Sequence, residues 1–377
     1  MTESAHPGLR VLMVEPTGRG SHHRYGVSLC AGLHRLGIIV ELLTSAPGSP
    51  VPSLPLLLPM RDAGCFRIPL LGGILRKTDR AVRLLVNHHR LLKQIRDGQY
   101  NLVHLQVLNA VFLASIARTC RRVDAKLVVT RHNVRSHDLN KRLWNAINHR
   151  CFRKSREAVD AFVAHTDFHR RGLEADGIAP ERIRVIPYGP HPEPGSRVAA
   201  PREPSSILMA GGLRANKGLD NLLRALEIFD SRLDSDRSFP IVRIVGRATH
   251  RGMARRIRTA AGKLRRIRLE HVNQYLPDPV FRGYFERSMV LVLPYSSEFS
   301  SLSAVLLDGY LHDNELVVTD AGANGEEVQK DKTGEVVPAE NPAALAAALQ
   351  KALDRGHDPG RSLNRRRALA TRFNWDT

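Results

Sequence analysis

The fold class predicted for this chain rests on residues 207–226, whose sequence is ILMAGGLRANKGLDNLLRAL. Residues 207–210 are a short apolar run that predicts a buried strand, and Gly211 and Gly212 predict the turn after it. Residues 217–229 predict a helix, because apolar side chains recur every three or four positions on one face. The side chains on that face are Leu219, Leu222, Leu223, Leu226 and Phe229. A buried strand, a glycine turn and an amphipathic helix in this order are typical of an α/β fold with a parallel sheet.

The same order of strand and helix recurs on both sides of this stretch. Further strands are predicted at residues 9–15, 38–43, 102–106, 126–130, 161–164, 241–245, 290–293 and 316–319, and further helices at 25–36 and 343–353. A chain of 377 residues that is 42% hydrophobic is too long for one ordinary core. Residues 193–204 are rich in Pro and poor in large apolar side chains, which predicts a linker. We therefore predict two Rossmann-like, doubly wound α/β domains, residues 1–192 and 205–377, which face each other across a ligand-binding cleft.

The chain is strongly basic, with 57 Lys and Arg against 37 Asp and Glu and a formal charge of +20. Residues 1–200 hold 30 basic and 15 acidic side chains, so this half accounts for +15. The excess predicts an anionic partner, which could be a phosphorylated substrate, an acidic membrane surface or nucleic acid. Aromatic residues make up 5% of the chain and do not alternate with the basic clusters, which argues against nucleic acid.

The four cysteines are widely scattered and have no spacing typical of zinc ligands. We therefore expect neither a disulfide framework nor a metal site, and a reducing compartment fits best. The first residues lack the pattern of a secretory signal, and the longest apolar stretch is too short to span a membrane. These features predict a cytoplasmic protein.

Residues 211–218 are the first candidate site. Glycines let the backbone approach a phosphate, and the N-terminus of a helix offers free N–H groups with a partial positive charge. Arg214 and Lys217 add two full positive charges, which suit the charge that grows on a departing diphosphate. An ordinary turn with exposed basic residues is the alternative interpretation.

Residues 296–309 are the second candidate site. Ser301 or Ser303 is placed to cap an apolar helix, and the start of that helix would form a second anion site. Asp308 lies about one turn further along and could accept hydrogen bonds from a sugar diol. The alternative is a capped core helix with Asp308 on its solvated side.

Three features of the first half are also candidates. His132 follows the strand at 126–130 and would lie at the edge of the cleft, although a single histidine is more often structural. Gly18 and Gly20 follow the first strand without the full spacing of a dinucleotide fingerprint. Residues 75–95 predict a basic amphipathic helix that lies either on anionic lipid or, as an ordinary helix, on the sheet.

Taken together, these segments resemble family 4 retaining glycosyltransferases. The resemblance is carried by LMAGGLRANKGLDNLLRAL, by LPYSSEFSSLSAVLLDGYLHDNELVVTDAGANGEEVQKDKTGEVVP, and by LVVTRHNVRSHD and VAHTDFHRRGLEADGIAPERIRVIPYGP, all in the family's order. It implies the GT-B fold and transfer of a hexosyl group from a nucleotide diphosphate sugar with retention of configuration. It also implies that no metal or other cofactor is required. The predicted setting is polysaccharide or cell-envelope glycan synthesis, with a sugar or a lipid-linked acceptor and a peripheral contact with the membrane through the basic first domain.

The resemblance also implies roles for single residues. Arg214 and Lys217 would hold the leaving diphosphate, and His132 would lie beside the transferred sugar. Asp308 stands where the family has the second Glu of its E-x7-E motif and would bind the ribose diol. The first Glu of that motif is replaced by serine, and Glu298 lies two residues before that position. The remaining residues expected to bind the donor are Gly20, Gly212, Ser301, Ser303, Ala304 and Val305.

Three other functions fit parts of the sequence. A nucleotide-sugar 2-epimerase would use a similar two-domain fold but would need more acid and base side chains. A non-catalytic binding protein would fit the altered E-x7-E motif. Nucleic-acid binding would use the net charge, although no recognition motif accompanies it.

Overall fold

The computed structural model describes residues 8–18, 20–46, 53–54, 72–106, 109–134, 142–190, 201–233, 239–249, 251–373 and 375. The chain divides into two compact units, one comprising Met1–His191 with Trp375–Thr377 and the other Pro192–Asn374. Each unit is a parallel sheet flanked by helices, so the predicted α/β class is confirmed.

Within the described residues, the first unit has a seven-stranded parallel sheet in the order β3-β2-β1-β4-β5-β6-β7. The strands are β1 Arg10–Glu15, β2 Ile39–Thr44, β3 Ser53–Leu54, β4 Leu102–Leu105, β5 Lys126–Thr130, β6 Ala161–Ala164 and β7 Ile183–Val185. The helices are α1 Gly20–Arg35, α2 Gly72–Asp97, α3 Leu113–Arg122, α4 Arg142–Ser155 and α5 Asp167–Ala175. Strand β1 lies near the centre of the sheet, and residues 11–14 are at most 4% exposed because helices cover both faces.

The second unit has a six-stranded parallel sheet among its described residues, in the order β10-β9-β8-β11-β12-β13. The strands are β8 Glu203–Ala210, β9 Ile241–Val245, β10 Arg268–Val272, β11 Ser288–Leu293, β12 Glu315–Thr319 and β13 Gly334–Val337. The helices are α6 Leu219–Arg232, α7 Arg251–Ala261, α8 Asp278–Arg287, α9 Ala304–Leu311, α10 Gly322–Asp331, α11 Pro342–Arg355 and α12 Pro359–Thr371. Since the strands are parallel, their carboxyl ends meet at one edge, where ligands bind in sheets of this kind.

The predicted linker at residues 193–204 extends too far toward the C-terminus. Strand β8 begins at Glu203, whose carboxylate forms an ion pair with Arg243 of β9 at 2.6 Å. Pro204 favoured a linker in the sequence, but proline is tolerated close to the start of a strand, where few ladder hydrogen bonds are needed. Residues 191–200 lie outside the described part of the chain.

The predicted domain boundary at the C-terminus also differs from the structure. Trp375 was assigned to the second domain but packs in the first unit, where its indole N–H donates to the carbonyl of Pro190 at 2.6 Å. Its ring lies 5.4 Å from the ring of Tyr25 and 6.3 Å from that of Tyr188. Position 189 is glycine, and a Cβ there would lie 2.7 Å from the indole. The chain therefore returns to the first unit at Trp375.

Helix α12 is attached to the second unit by a buried charge. The Arg365 side chain is fully buried and donates to Asp313 at 2.8 Å, to Glu315 at 3.0 Å and to the carbonyl of Thr333 at 3.0 Å. A buried guanidinium needs such partners, because desolvation of an unpaired charge costs several kcal/mol, on the order of 3–5. Arg365 therefore links α12 to the start of β12.

Candidate active site

The loop after β8 is held by glycines that lie against neighbouring backbone. A Cβ at Gly218 would lie 1.7 Å from the carbonyl oxygen of Pro294, and Gly218 has a left-handed φ of 66°. A Cβ at Gly246 would lie 2.0 Å from the carbonyl oxygen of Gly211. Gly212 is exposed, with nothing within 4 Å of a Cβ. The close approaches bring the loop against the carboxyl ends of β9 and β11.

The helix predicted from Lys217 begins later. Residues Ala215–Lys217 form a 3-10 turn, Gly218 follows in the left-handed conformation, and α6 starts at Leu219. This break separates Lys217 from the helix and directs its side chain toward the loop after β11.

Lys217 lies over two aromatic rings. Its Nζ is 3.8 Å from the ring centroid of Tyr295 and 4.7 Å from that of Phe299. Burial, and to a smaller degree the charge of Arg214, holds the pKa of Lys217 well below its usual range. In the part of the chain that the structure describes, no carboxylate forms an ion pair with Lys217. The predicted partner in the leaving-group site, Arg214, is exposed on the same loop.

Ser303 is the N-cap residue of α9, as one of two predicted serines, but its hydroxyl does not cap the helix. The Ser303 Oγ instead pairs with the hydroxyl of Tyr295 at 3.0 Å. Its backbone N–H donates to Oδ1 of Asn324 at 2.9 Å, and the Nδ2 of that buried amide has no partner among the described residues. Tyr295 therefore links the Lys217 ammonium to the start of α9, where Ala304 and Val305 are the first helical residues.

The structure places the other predicted donor residues at different depths. Asp308 lies partly buried on α9, and its charge adds to burial in raising the pKa of Tyr295. Ser301 is buried and its hydroxyl donates to the carbonyl of Leu302 at 3.3 Å. Glu298 is exposed at the surface of the loop. The structure thus brings Arg214, Lys217, Ser303 and Asp308 together around Tyr295, and it leaves Glu298 outside that group.

Three residues of this site were not predicted from the sequence: Tyr295, Phe299 and Asn324. Each is buried, and in the sequence the two aromatic residues are indistinguishable from ordinary core residues. Only the three-dimensional structure brings them to Lys217, which precedes Tyr295 by about 80 positions in the chain.

In the first unit, His132 belongs to a buried histidine cluster. A carbonyl oxygen only accepts, so the Nδ1 of His165 must donate to the carbonyl of Ile186, which is 3.1 Å away. The Nε2 of neutral His165 then accepts from Nδ1 of His132 at 2.9 Å. His132 is therefore held in the Nδ1–H tautomer, and its Nε2 is an acceptor.

The cluster is neutral near pH 7. Burial lowers the pKa of His165 to about 3 and those of His104 and His169 to about 4, and it lowers the pKa of His132 well below its usual range. His22 stacks on the imidazole of His132 at a centroid distance of 4.5 Å. His132 follows β5 and His165 follows β6, so both lie at the carboxyl edge of the sheet, where His132 was predicted.

The side chain of Glu15 occupies the glycine turn after β1. The buried Glu15 carboxylate accepts from the backbone N–H groups of Thr17 at 2.8 Å and Gly18 at 2.9 Å, and His23 lies 2.9 Å from it. These hydrogen bonds overcome the effect of burial and lower the pKa of Glu15. A Cβ at Gly20 would meet nothing within 4 Å, so the backbone at Gly20 is open.

Residues 75–95, predicted as a basic amphipathic helix, form part of α2, and the structure describes only some of their side chains. Arg83 forms an ion pair with Asp79 at 2.9 Å and its side chain is 13% exposed, which at this position fits the ordinary helix rather than an open basic face. The ion pair forms because Asp79 lies one helical turn earlier. The side chains of Arg76, Lys77 and Arg80 lie outside the described residues.

Apolar side chains are exposed on α2 and α4. Val82 and Leu85 of α2 are 52% and 60% exposed, so the sheet does not cover this part of the helix. Leu143, Trp144 and Ile147 of α4 are also exposed, and basic residues follow them on the same helix. None of the helices in the described ranges is both long and apolar enough to cross a membrane.

Comparison with known families identifies the chain. The model described as Glycosyltransferase Family 4 matches residues 23–193, and the model described as Glycosyl transferases group 1 matches residues 204–355. The chain belongs to glycosyltransferase family 4. The predicted resemblance to this family is confirmed, and the chain is a glycosyltransferase, while retention of configuration stays a prediction.

A curated relative and two solved structures resemble the chain over nearly its whole length. D-inositol 3-phosphate glycosyltransferase from Streptomyces coelicolor is 25% identical over 396 aligned residues, which cover 95% of this chain and 84% of the relative. Sucrose-phosphate synthase from Thermosynechococcus elongatus has a TM-score of 0.70 at 17% identity and covers 98% of this chain and 96% of that one. HepE from Anabaena in complex with UDP and glucose has a TM-score of 0.68 at 13% identity, with the same coverage. These likenesses confirm the GT-B fold.

Proposed function

We propose that the chain transfers a sugar from a nucleoside diphosphate sugar to an acceptor hydroxyl with retention of configuration and without a required metal. The observation that carries this proposal is the Lys217 ammonium, which lies over Tyr295 without a carboxylate partner among the described residues. A partly buried cation in this position suits an anion that arrives with the substrate. The binding of UDP and UDP-glucose by structural neighbours supports a nucleotide sugar as donor.

The chemistry follows from charge and position. When the glycosidic bond to the diphosphate breaks, negative charge grows on the leaving oxygens, and Arg214, Lys217 and the N–H groups at the start of α9 would stabilise it. Asp308 would accept from the ribose hydroxyls. Catalysis of this kind depends on positioning and electrostatics rather than on a strong protein base. The donor roles predicted for Gly20, Gly212 and His132 stay predictions.

A screen of UDP-, GDP- and ADP-sugars by thermal shift tests the donor. We expect the sugars of one nucleoside diphosphate to raise the melting temperature of the protein, and we expect the variant Lys217→Met to lose most of that increase. Incubation with the donor alone separates the enzyme classes, because an epimerase would convert it and a transferase needs an acceptor. Stabilisation without transfer to any acceptor would support a non-catalytic binding protein instead.

The acceptor is proposed to be a sugar, a lipid-linked intermediate or a phosphorylated polyol, in synthesis of cell-envelope or extracellular glycans. The excess positive charge of residues 1–200 supports an anionic acceptor. The name of the Streptomyces coelicolor relative, which acts on inositol 3-phosphate, is the reason to include phosphorylated polyols. The anomeric proton coupling of the product, measured by NMR, tests retention directly.

We also propose that the first unit binds the surface of anionic membranes. Exposed Leu143 and Trp144 on α4, followed by Arg150, Arg153 and Lys154, combine apolar side chains with positive charge. Flotation with anionic and neutral liposomes tests this, and the double substitution of Leu143 and Trp144 by Ser should reduce recovery with anionic liposomes. Tyr275→Ser in the second unit removes a side chain that is 73% exposed and is the matched control. Equal recovery with both kinds of liposome would contradict the proposal.

A further inference from the structure

The environment of Lys217 is unusual for a partly buried amine. Such a group ordinarily has a carboxylate within ion-pair distance, because desolvation penalises an unpaired charge. The structure instead places two aromatic faces beside its Nζ, at 3.8 Å for Tyr295 and 4.7 Å for Phe299. The negative faces of aromatic rings attract a cation without cancelling its charge.

The two rings are fixed by their own contacts. Their centroids are 4.6 Å apart, with an interplanar angle of 60°. Tyr295 is anchored by its hydroxyl on Ser303 at 3.0 Å and by its carbonyl, which accepts from Thr319 at 2.8 Å. Both rings are nearly fully buried, at 1% and 4% exposed, so packing holds them beside the ammonium as a two-ring aromatic cage.

Two other charged groups act on this cage. The charge of Arg214 adds to burial in lowering the pKa of Lys217, and the charge of Asp308 on α9 adds to burial in raising the pKa of the Tyr295 hydroxyl. Neither of them forms an ion pair with Lys217 in the described structure. The rings are therefore the principal attractive contact of the ammonium.

We propose that Tyr295 and Phe299 are positioning residues that hold the Lys217 ammonium by cation–π attraction, leaving its charge available for the diphosphate of the donor. An acidic residue in their place would compete with the diphosphate for the ammonium. The rings keep the ammonium in place before and after the nucleotide binds. This inference rests on the proposed function and specifies how the site retains an unneutralised cation.

The lowered pKa of Lys217 opposes the ammonium, so the charged form needs an attractive contact that offsets burial. Burial and Arg214 favour the neutral amine, while the rings favour the ammonium. Weakening the rings should therefore shift Lys217 further toward the neutral form, and nucleotide binding should weaken with it.

Fluorinated phenylalanines at position 299 test the proposal, because each added fluorine withdraws charge from the ring face with little change in shape. We expect the Kd for UDP, or for whichever of UDP, GDP and ADP binds the wild-type protein, to rise stepwise by about 5-fold in total from Phe to the trifluorinated ring. The same series at Phe229, a buried core residue of α6, is the control and should leave the Kd unchanged. A constant or falling Kd at position 299 would overturn the proposal, since a merely structural ring would not respond in proportion to fluorine number.

A second readout needs no nucleotide. The pH dependence of Lys217 acetylation, followed by mass spectrometry, reports its apparent pKa in each fluorinated variant. We expect this pKa to fall with each fluorine, and an unchanged value would overturn the proposal. If no nucleoside diphosphate binds the wild-type protein while the acetylation profile still shifts, the proposed function is wrong, and the cation–π contact of the two rings with Lys217 is supported independently of it.

Discussion

The buried histidines make the stability of the first unit sensitive to mild acid. In the folded protein His104, His165 and His169 stay neutral down to a pKa of about 4, 3 and 4. In the unfolded chain each titrates near pH 6.5. Between these values the unfolded state binds more protons than the folded state, so stability is present above about pH 6.5 and is lost as the pH falls.

The size of the effect follows from the number of groups. Each histidine that is neutral when folded and charged when unfolded contributes about 1.4 kcal/mol per pH unit, so the three together contribute about 4 kcal/mol between pH 6 and pH 5. His132 acts in the same direction. Since domains are stable by only about 5–15 kcal/mol, this loss is a large part of the total. The carboxylates with lowered pKa values, such as Glu15, lose their contribution only at lower pH.

Native-state hydrogen exchange at pH 7, 6 and 5 measures this effect in each unit separately. We expect protection of amides in β5 and β6 to fall steeply with pH, after correction for intrinsic exchange. Amides of β8 and β11 in the second unit are the internal control and should change much less. Protection in β5 and β6 that is independent of pH, or that changes equally in both units, would show that the buried histidines do not set this pH dependence.

Three further predictions concern single residues. Nitrogen-15 NMR should show His132 as the Nδ1–H tautomer in the wild type, and an Nε2–H form would contradict the hydrogen-bond chain. The tautomer should be retained in His165→Gln, because the Gln amide can donate to Ile186 and accept from His132. In His165→Leu, which can do neither, we expect a mixture of the two tautomers. Gly218→Ala should lower the free energy of unfolding in urea by about 3 kcal/mol, because it adds strain at a positive φ and a clash with the carbonyl of Pro294. Gly212→Ala is the control and should be nearly neutral, and equal effects of the two substitutions would contradict the assigned geometry. Arg365→Met should cost about 3–5 kcal/mol, because the buried Glu315 carboxylate loses the guanidinium at 3.0 Å and keeps only Arg361 at 3.9 Å as a cationic partner, and a thermal denaturation midpoint equal to that of the wild type would count against this role.

The sequence was sufficient to predict the central strands and the glycine loop, because both have strong local patterns. Residues 126–130 and 241–245 are mostly apolar and rich in Val and Ile, and they form β5 and β9 as predicted. The edge strands β3, β7, β10 and β13 were missed, since they are short or carry polar side chains, as in Arg268–Val272. An edge strand is covered less completely and therefore has a weaker apolar pattern.

The candidate site was also predicted only in part: some of its residues were identified from the sequence, but their contacts were not. Lys217 and Ser303 were found because each lies at the junction of a strand, a loop and a helix. The contacts that define their chemistry were not found, since Tyr295 and His165 resemble core residues until their neighbours are known. The ion pair of Arg83 with Asp79 was also missed, although their spacing of four residues was visible in the sequence.

The most direct test of the account is isothermal titration calorimetry of UDP, GDP and ADP with the wild-type protein and with Lys217→Met. We expect one nucleoside diphosphate to bind the wild type, and the substitution to weaken that binding by about 100-fold, since a charged hydrogen bond of about 3 kcal/mol is lost. Wild-type binding that is unchanged in Lys217→Met, or no binding of any of the three, would contradict the claim that Lys217 holds the diphosphate of the donor.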